Sequence, residues 1–457
     1  MVGFKSGVLI SGLVIACGFP VSAQNIDAVK NEVVATVKEA PADAPAAIEK
    51  KAAALIDSSP QAAVPASLMD AEWEFFKARR EDKNEDVQAL LLPQLTDFIA
   101  HYPDSEYAGQ AQLLKATFHL RAGDYKSAIV DLLKHTQQYP QSDSSAPARK
   151  LLNEIVNGKI DKKTKPLLLE LAAGSEPADK AEKSGILLEK ISAQAGEMFY
   201  GPVVVEFREF FNRFPDYPKN DGLRLALADL HYKNEEYLPA RLAYQKMIQM
   251  YPASPLLAKA KLSLGAVLAE KLKEYDEAIR AYQDITVSFP GTGEAWTAYG
   301  ALPKLSERQK KYGLAVETYE KIISLYPDKE EAYSAFVSEA RILREELEKP
   351  AESVEVLNRL ADKYKGEKAL SALFLAADIS RKDMKDPASE IKMYDRIVSE
   401  YSSDPQAPKA LFAAADVYEK EKKFDNAGEY YTKLIEKYAE NPLAKKAQKR
   451  LDSMAGK

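Results

Sequence analysis

The sequence predicts an all-α solenoid of about ten stacked antiparallel helix pairs. Three observations carry this. The first is a segment copied along the chain: YLPARLAYQKMIQMYP (residues 237–252) returns as YDEAIRAYQDITVSFP (275–290), YGLAVETYEKIISLYP (312–327) and FDNAGEYYTKLIEKYA (424–439). The second is a ruler of aromatics, Tyr102, Tyr139, Phe214, Tyr251, Phe289, Tyr326, Tyr364, Tyr401 and Tyr438, spaced 37 or 38 residues apart except for one gap of 75. That gap is two periods long, and Pro177 stands where the missing landmark proline belongs. The third is the pattern inside the unit. Tyr237, Ala240, Tyr244, Ile248 and Tyr251 fall on one helical stripe, and a Tyr-Pro pair then stops the helix. Periods of this length with two helical patterns each describe stacked helix pairs.

Within the unit, Ala240, Tyr244 and Pro252 recur as Ala278, Tyr282 and Pro290 and as Ala315, Tyr319 and Pro327. The last copy keeps Ala427 and Tyr431 but has Ala439 for the proline. An alanine followed four residues later by an aromatic, and twelve later by proline, resembles the tetratricopeptide repeat. The resemblance implies a right-handed superhelical solenoid, in which small residues let the two helices of a unit touch and the ring fills the neighbouring groove. HEAT-type repeats need longer units and lack this spacing.

Taken in order, residues 1–23 read as an export signal: Lys5, an apolar run over 7–16, and a Val-Ser-Ala site that cuts between Ala23 and Gln24. The run is too short to span a bilayer. Val14-Ile15-Ala16-Cys17 also resembles a bacterial lipobox, which would make Cys17 a lipidated first residue and place the protein on the outer membrane instead of free in the periplasm. With one cysteine in the chain, no internal disulfide forms. Residues 24–66 are rich in Ala and Pro and read as a flexible spacer. Its short stripe of Ile26, Val29, Val33 and Val37 spans fewer than two heptads, less than a coiled coil needs.

The array occupies 67–457. It opens with an apolar face carrying Trp73 and Phe76, paired with a helix over 86–101, then helices over 105–121 and 125–139. Gly123-Asp124-Tyr125 reads as a helix stop followed by an N-cap, and comparable turns precede Tyr237, Tyr275 and Phe424. Over 158–200 the pattern degenerates: prolines and glycines crowd, and Leu167, Leu168, Leu169 and Leu171 wrap most of a helix. A normally packed unit and a hinge are both consistent with that stretch. Further on, Pro350 and Pro387 replace the opening aromatic, which the first turn of a helix tolerates. Trp296 reads chiefly as core. The final helix, over 441–454, carries Lys445, Lys446, Lys449 and Arg450, the polar outer face a terminal repeat needs.

Residue patterns that carry chemistry are few in this sequence. His101, His119, His135 and His231 sit singly inside repeats, His119 and His231 at the unit position of Tyr418, a packing slot, and no His or Cys cluster has metal-ligand spacing. Glu235-Glu236 and Glu330-Glu331 fall at helix starts, where carboxylates suit the helix dipole. No phosphate-cradling loop or nucleophile elbow is present, so no cofactor, metal or catalytic residue is expected. With 63 basic against 69 acidic residues, the balance disfavours a general nucleic-acid binder.

Units such as Tyr102-Pro103-Asp104-Ser105 and Tyr251-Pro252-Ala253-Ser254 behind an export signal resemble those of the BamD and TolA-binding families. That resemblance implies a non-catalytic scaffold of the bacterial envelope. It would hold envelope proteins or peptides on a concave face through the first helix of each pair, touching membrane only through a lipid anchor. BamD-like proteins have about half as many units. Two alternatives are a helical module of a peptidoglycan-acting enzyme, as in soluble lytic transglycosylases, and a polysaccharide-export scaffold. The former requires a separate catalytic domain with an acidic residue in a cleft, and the repeats fill the sequence.

Overall fold

The computed structural model describes residues 66–173 and 179–454. The export-signal residues Cys17, Ala23 and Gln24, the spacer up to residue 65, and Pro177 lie outside the described residues. Every described element is helical. The chain divides into two compact units, one ending at Phe118 and the other running from His119.

The first unit contains α1 (Ala66–Arg79), α2 (Glu85–His101) and most of α3 (Ala108–Arg121). Trp73 and Phe76 of α1 are buried against Leu91, Leu95 and Phe98 of α2 and Phe118 of α3. Asn84 starts α2 by accepting the N–H of Asp86 at 2.9 Å. The α3 helix begins three residues later than its sequence pattern, because Ser105 and Ala108 donate their N–H groups into a turn at Tyr102 and Ser105.

The second unit continues with α4 (Tyr125–Gln138), α5 (Ser145–Lys159), α6 (Lys165–Ala173), α7 (Lys180–Ala195), α8 (Tyr200–Arg213), α9 (Asn220–Lys233) and α10 (Tyr237–Met250). After these come α11 (Leu257–Ala266), α12 (Tyr275–Ser288), α13 (Gly293–Arg308), α14 (Tyr312–Leu325), α15 (Glu330–Glu345) and α16 (Pro350–Lys363). The chain closes with α17 (Glu367–Ile379), α18 (Pro387–Glu400), α19 (Ala407–Lys420), α20 (Phe424–Lys437) and α21 (Pro442–Met454). Helices α1 to α20 fall into ten successive pairs, and α21 follows them singly. The all-α array of consecutive helix pairs expected from the ruler is what the chain forms.

The ruler itself marks helix ends. All nine landmark aromatics are the C-cap of the second helix of a pair, each donating its N–H to the carbonyl four residues back. The turn inside the second pair and inside every pair from α9–α10 onward is equally regular but is not made throughout as the Gly123 example suggests. Gly123 has φ +78, whereas Glu235, Lys273, Lys310, Glu348, Lys385 and Lys422 adopt the left-handed conformation without being glycine. Each stands two residues before a second helix. A side-chain N-cap follows at Asp124 and Asp386 but not at Glu236, Glu274 or Lys423. In α11 and α17 the approach to this turn is a π-helical segment, Val267–Leu272 and Ser380–Met384. A left-handed L-residue costs about 1–2 kcal/mol that glycine avoids, against about 0.5–1 kcal/mol of extra chain entropy. Lys310→Gly should therefore raise stability by about 0.5–1 kcal/mol in urea unfolding. An unchanged or lower midpoint contradicts the left-handed assignment.

Packing inside a pair follows from small residues. Ala228, Gly265, Ala340, Ala377 and Ala415 occupy equivalent places in the first helices, with Pro303 at that place in α13 between Gly265 and Ala340. At Gly265 an added Cβ would sit 2.7 Å from Cε1 of Tyr282, so ring and helix touch directly. Gly265→Ala gains helix propensity worth about 1 kcal/mol yet must displace a buried ring, which costs about 1–3 kcal/mol. A net loss of thermal stability is expected, and Gly265→Ala with Tyr282→Leu should recover it. A stabilised single variant would show that the contact yields freely.

Neighbouring pairs are stitched by polar contacts: Arg241 to Glu274 (2.8 Å) and Glu277 (3.0 Å), Lys311 to Asp276 (2.8 Å), Arg396 to Asn358 (2.8 Å) and Asp362 (2.7 Å), and Tyr430 to Asp395 (2.6 Å). Most are at least partly exposed and contribute little energy, so they fix orientation more than stability.

The degenerate stretch packs differently. The α6 helix has nine residues; Leu167, Leu168 and Leu171 are buried and Leu169 faces out. Across it, α8 reaches back to α4. Lys134, itself buried, meets Glu206 at 2.7 Å and Glu209 at 2.6 Å. Arg213 donates to Gln138 Oε1 (2.8 Å), whose Nε2 donates to Ser184 of α7 (2.9 Å). Burial pulls the Lys134 ammonium down, but the two carboxylates more than offset it and hold the group above its ordinary value.

Candidate functional site

The residues of the sequence signature do not converge. Ala240, Ala278, Ala315 and Ala427 are fully buried, as are or nearly are Tyr244, Tyr282 and Tyr431, each inside its own pair. Tyr319 is half-buried; Pro252 and Pro290 are exposed and Pro327 half-buried, all in the turns after the second helices. Tyr244 donates to Asp229 (2.5 Å), Tyr319 to Glu307 (2.9 Å) and Tyr431 to Glu419 (3.1 Å), so the phenol also ties the second helix to the first. Burial, with the neighbouring carboxylate, pushes the Tyr244 and Tyr431 phenols up.

The histidines are held locally. His231 is buried and accepts or donates at Nδ1 to Tyr200 Oη (2.8 Å), and burial lowers its basicity. His135 is buried with Nε2 at 2.7 Å from Ser144 Oγ; His101 is exposed. Among the described residues no group of His, Cys, Asp or Glu is placed to hold a metal ion, and no helix is long and apolar enough to cross a membrane. Trp296 is half-buried against Tyr326 (4.5 Å between centroids), with Lys329 Nζ 5.3 Å from its ring.

What the structure does assemble is a stripe on the first helices of the last pairs. The exposed residues of α15 include Ser334, Val337 and Arg341; those of α17 include Ser371 and Leu375, beside half-buried Phe374; in α19, Lys409 is exposed beside half-buried Phe412 and Asp416. Helical spacing puts each set on one face. Val337, Phe374 and Phe412 occupy the same place in their units, one period apart, three residues before the buried small residue. Val337 is 41% exposed, and the Lys409 ammonium lies 5.2 Å from the Phe374 ring.

The stripe ends in a cleft of about 400 Å³ lined by Phe412 and by Lys446, Lys449 and Arg450 of α21. Tyr431 supports the Phe412 ring from behind, with centroids 5.5 Å apart. Arg450 is held by Glu419 (3.2 Å) and Asp416 (3.8 Å). Lys446 and Lys449 are exposed, and no carboxylate lies within ion-pair distance of either among the described residues. An apolar floor with a cationic wall suits an apolar side chain flanked by acidic groups. The basic α21 residues were legible as a polar terminal face; their meeting with Phe412 was not.

Residues 225–291 and 409–441 each match a tetratricopeptide repeat family model. A comparison with curated proteins finds no match. Among solved structures, the chain is similar to a tetratricopeptide repeat protein from Parabacteroides merdae, at 15% identity over 58% of this chain and 98% of that one, with a TM-score of 0.31. It is also similar to pilF of Pseudomonas aeruginosa (17% identity, 50% and 98%, TM-score 0.27). A third is the TPR2AB domain of yeast Sti1 in complex with pHSP90 (15% identity, 60% and 96%, TM-score 0.29). The two matched stretches fall on α9 to α12 and α19 to α20; between them α14 keeps the buried alanine (Ala315) with half-buried Tyr319, whereas α16 has Ser353 and Leu357, and α18 has Glu390 and half-buried Tyr394, at those places. Two stretches of this all-α array, 225–291 and 409–441, are thus tetratricopeptide repeats by their match.

Proposed function

We propose that this protein is a non-catalytic interaction scaffold of the bacterial cell envelope, working in the periplasm or from the outer membrane. The stripe of Val337, Phe374, Phe412 and the adjoining cleft forms its partner-binding face. The observation that carries the reading is the stripe itself: exposed Val337 and half-buried Phe374 and Phe412 recur at one place on the first helices, while the alanines three residues further on are buried. The export-signal pattern at Ala23-Gln24, or the lipobox at Cys17, supports the envelope assignment. The partner this face suits is a protein segment with an apolar anchor and acidic flanks.

The test is site-specific photo-crosslinking in cells, with the probe at Phe412 or, as control, at exposed Leu242 of α10. A partner crosslinked from 412 alone, and lost when Val337→Glu is added, supports the reading. Equal crosslinking from both positions, or none from 412, contradicts it. Mass spectrometry of the mature N-terminus distinguishes Gln24, lipidated Cys17 and an unprocessed chain, the last of which contradicts export.

A further inference from the structure

One carboxylate sits where the packing alone gives no reason for it. Glu339 lies on α15, on the side turned toward the second helices, and is 1% exposed. Arg359 of α16 donates from Nη2 to its Oε1 at 2.9 Å; Oε2 is buried with no hydrogen-bond partner. The Arg359 side chain is itself half in solvent and spread toward the Phe336 ring, 5.7 Å away, so it compensates a buried charge incompletely. From α14, the other helix packed on α15, the charged group facing Glu339 is a second carboxylate, Glu320. Around it the joint is apolar: Phe336, Ala340 and Leu343 of α15 pack against Val354, Leu357 and Leu360 of α16. Ser353 of α16 anchors the two helices by donating to the carbonyl of Ala340 at 2.7 Å.

We infer that the contact of α15 with α14 and α16 is a proton-binding joint: Glu339 takes up a proton in the closed stack, and release of that proton loosens the α15–α16 pair. The physics is that of a charge with half its hydrogen bonds missing in a poorly hydrated place. Ionised, Glu339 has one shared cation, one like charge from Glu320 and an unsatisfied oxygen; neutral, it gives up only part of the Arg359 contact. Burial pushes its carboxyl up to about 7, with Arg359 pulling against the shift and Glu320 adding to it.

The sign follows from proton binding. Between the ordinary value of 4.5 and about 7, the closed joint holds a proton that the opened one has released. Stabilisation is therefore present at low pH, declines as pH rises through that window, and is gone above it. The joint carries Val337 and Arg341 on its solvent side, so its opening disturbs the stripe at the end away from the cleft. The inference does not depend on that stripe binding anything.

Hydrogen exchange by mass spectrometry on the full chain at pH 6.0 and 8.5, corrected for intrinsic rates, tests it. Protection in peptides from α15 and α16 should fall about tenfold between the two, since each unit of pKa difference is a factor of ten in the opening equilibrium. Peptides from α9 and α10 serve as the internal reference. In Glu339→Gln the fall should shrink to less than twofold, while Glu320→Gln should reduce it only in part. An equal pH response in the wild type and Glu339→Gln overturns the inference. If Glu339→Gln does not fold, carbon-13 titration of the glutamate carboxyls in the wild type decides: a Glu339 midpoint below 5 overturns it, and one near 7 supports it.

Discussion

Lys134→Met is expected to be the most destabilising substitution of a charged residue in this chain, costing about 3–5 kcal/mol, because it withdraws the ammonium that both Glu206 and Glu209 face in the buried contact of α4 with α8. The loss comes from removing the buried cation beside Glu206, whose side chain is 8% exposed, more than from the strength of the original pair. Lys134→Met combined with Glu206→Gln and Glu209→Gln should thus recover part of it, although it restores no ion pair. Urea unfolding followed by circular dichroism measures both. A loss below 1 kcal/mol for the single change would show that water reaches this contact and that α8 does not bear on α4.

Tyr431→Ala is expected to cost a similar amount, about 3–5 kcal/mol, by emptying the core shared by α19, α20 and α21. Tyr431 is fully buried, donates to Glu419, and backs the Phe412 ring. From α9 onward each pair contacts chiefly its neighbours, so this damage should stay local. Limited proteolysis should cut first within 407–454 while α9 to α14 persist as a resistant fragment. Tyr431→Phe keeps the ring and should cost only about 1 kcal/mol, the worth of one hydrogen bond. If Tyr431→Ala unfolds the whole chain in one step, the repeats are more tightly coupled than nearest-neighbour stacking allows. Because Phe412 floors the basic cleft, the same variant should also abolish the crosslink from position 412.

The fold was legible because its determinants are local and repeated. Aromatic C-caps at 37 or 38 residues, proline just beyond them, and alanine facing a ring are each fixed within one unit, so copies reinforce one another along the chain. Pro350 and Pro387 confirm this from the other side: each stands at the first position of its helix, and the period passes through them undisturbed. What local pattern does not carry is conformation without a residue-type marker and contact at long range. The left-handed turn is read easily at Gly123 and not at Lys273 or Lys310, where lysine bears the strain. The meeting of Lys134 with Glu206 and Glu209 joins positions 75 residues apart for the latter, two periods on, and no periodicity announces it. The candidate site fell between these cases. Val337, Phe374 and Phe412 keep the period and were available to anyone aligning first helices on their small residue, but Lys446 and Lys449 read as mere terminal charge until α21 was seen beside Phe412.

One helical hairpin, turned between its helices by a left-handed residue and closed by an aromatic cap, repeats from α9 to α20. Residue-resolved hydrogen exchange tests it most directly. Blocks of slow exchange should coincide with the helices from α9 to α20, broken by fast-exchanging turns around Glu235, Lys273, Lys310, Glu348, Lys385 and Lys422 at intervals of 37 or 38 residues. Protection that runs unbroken through those turns, or whose breaks do not keep that interval, would contradict it.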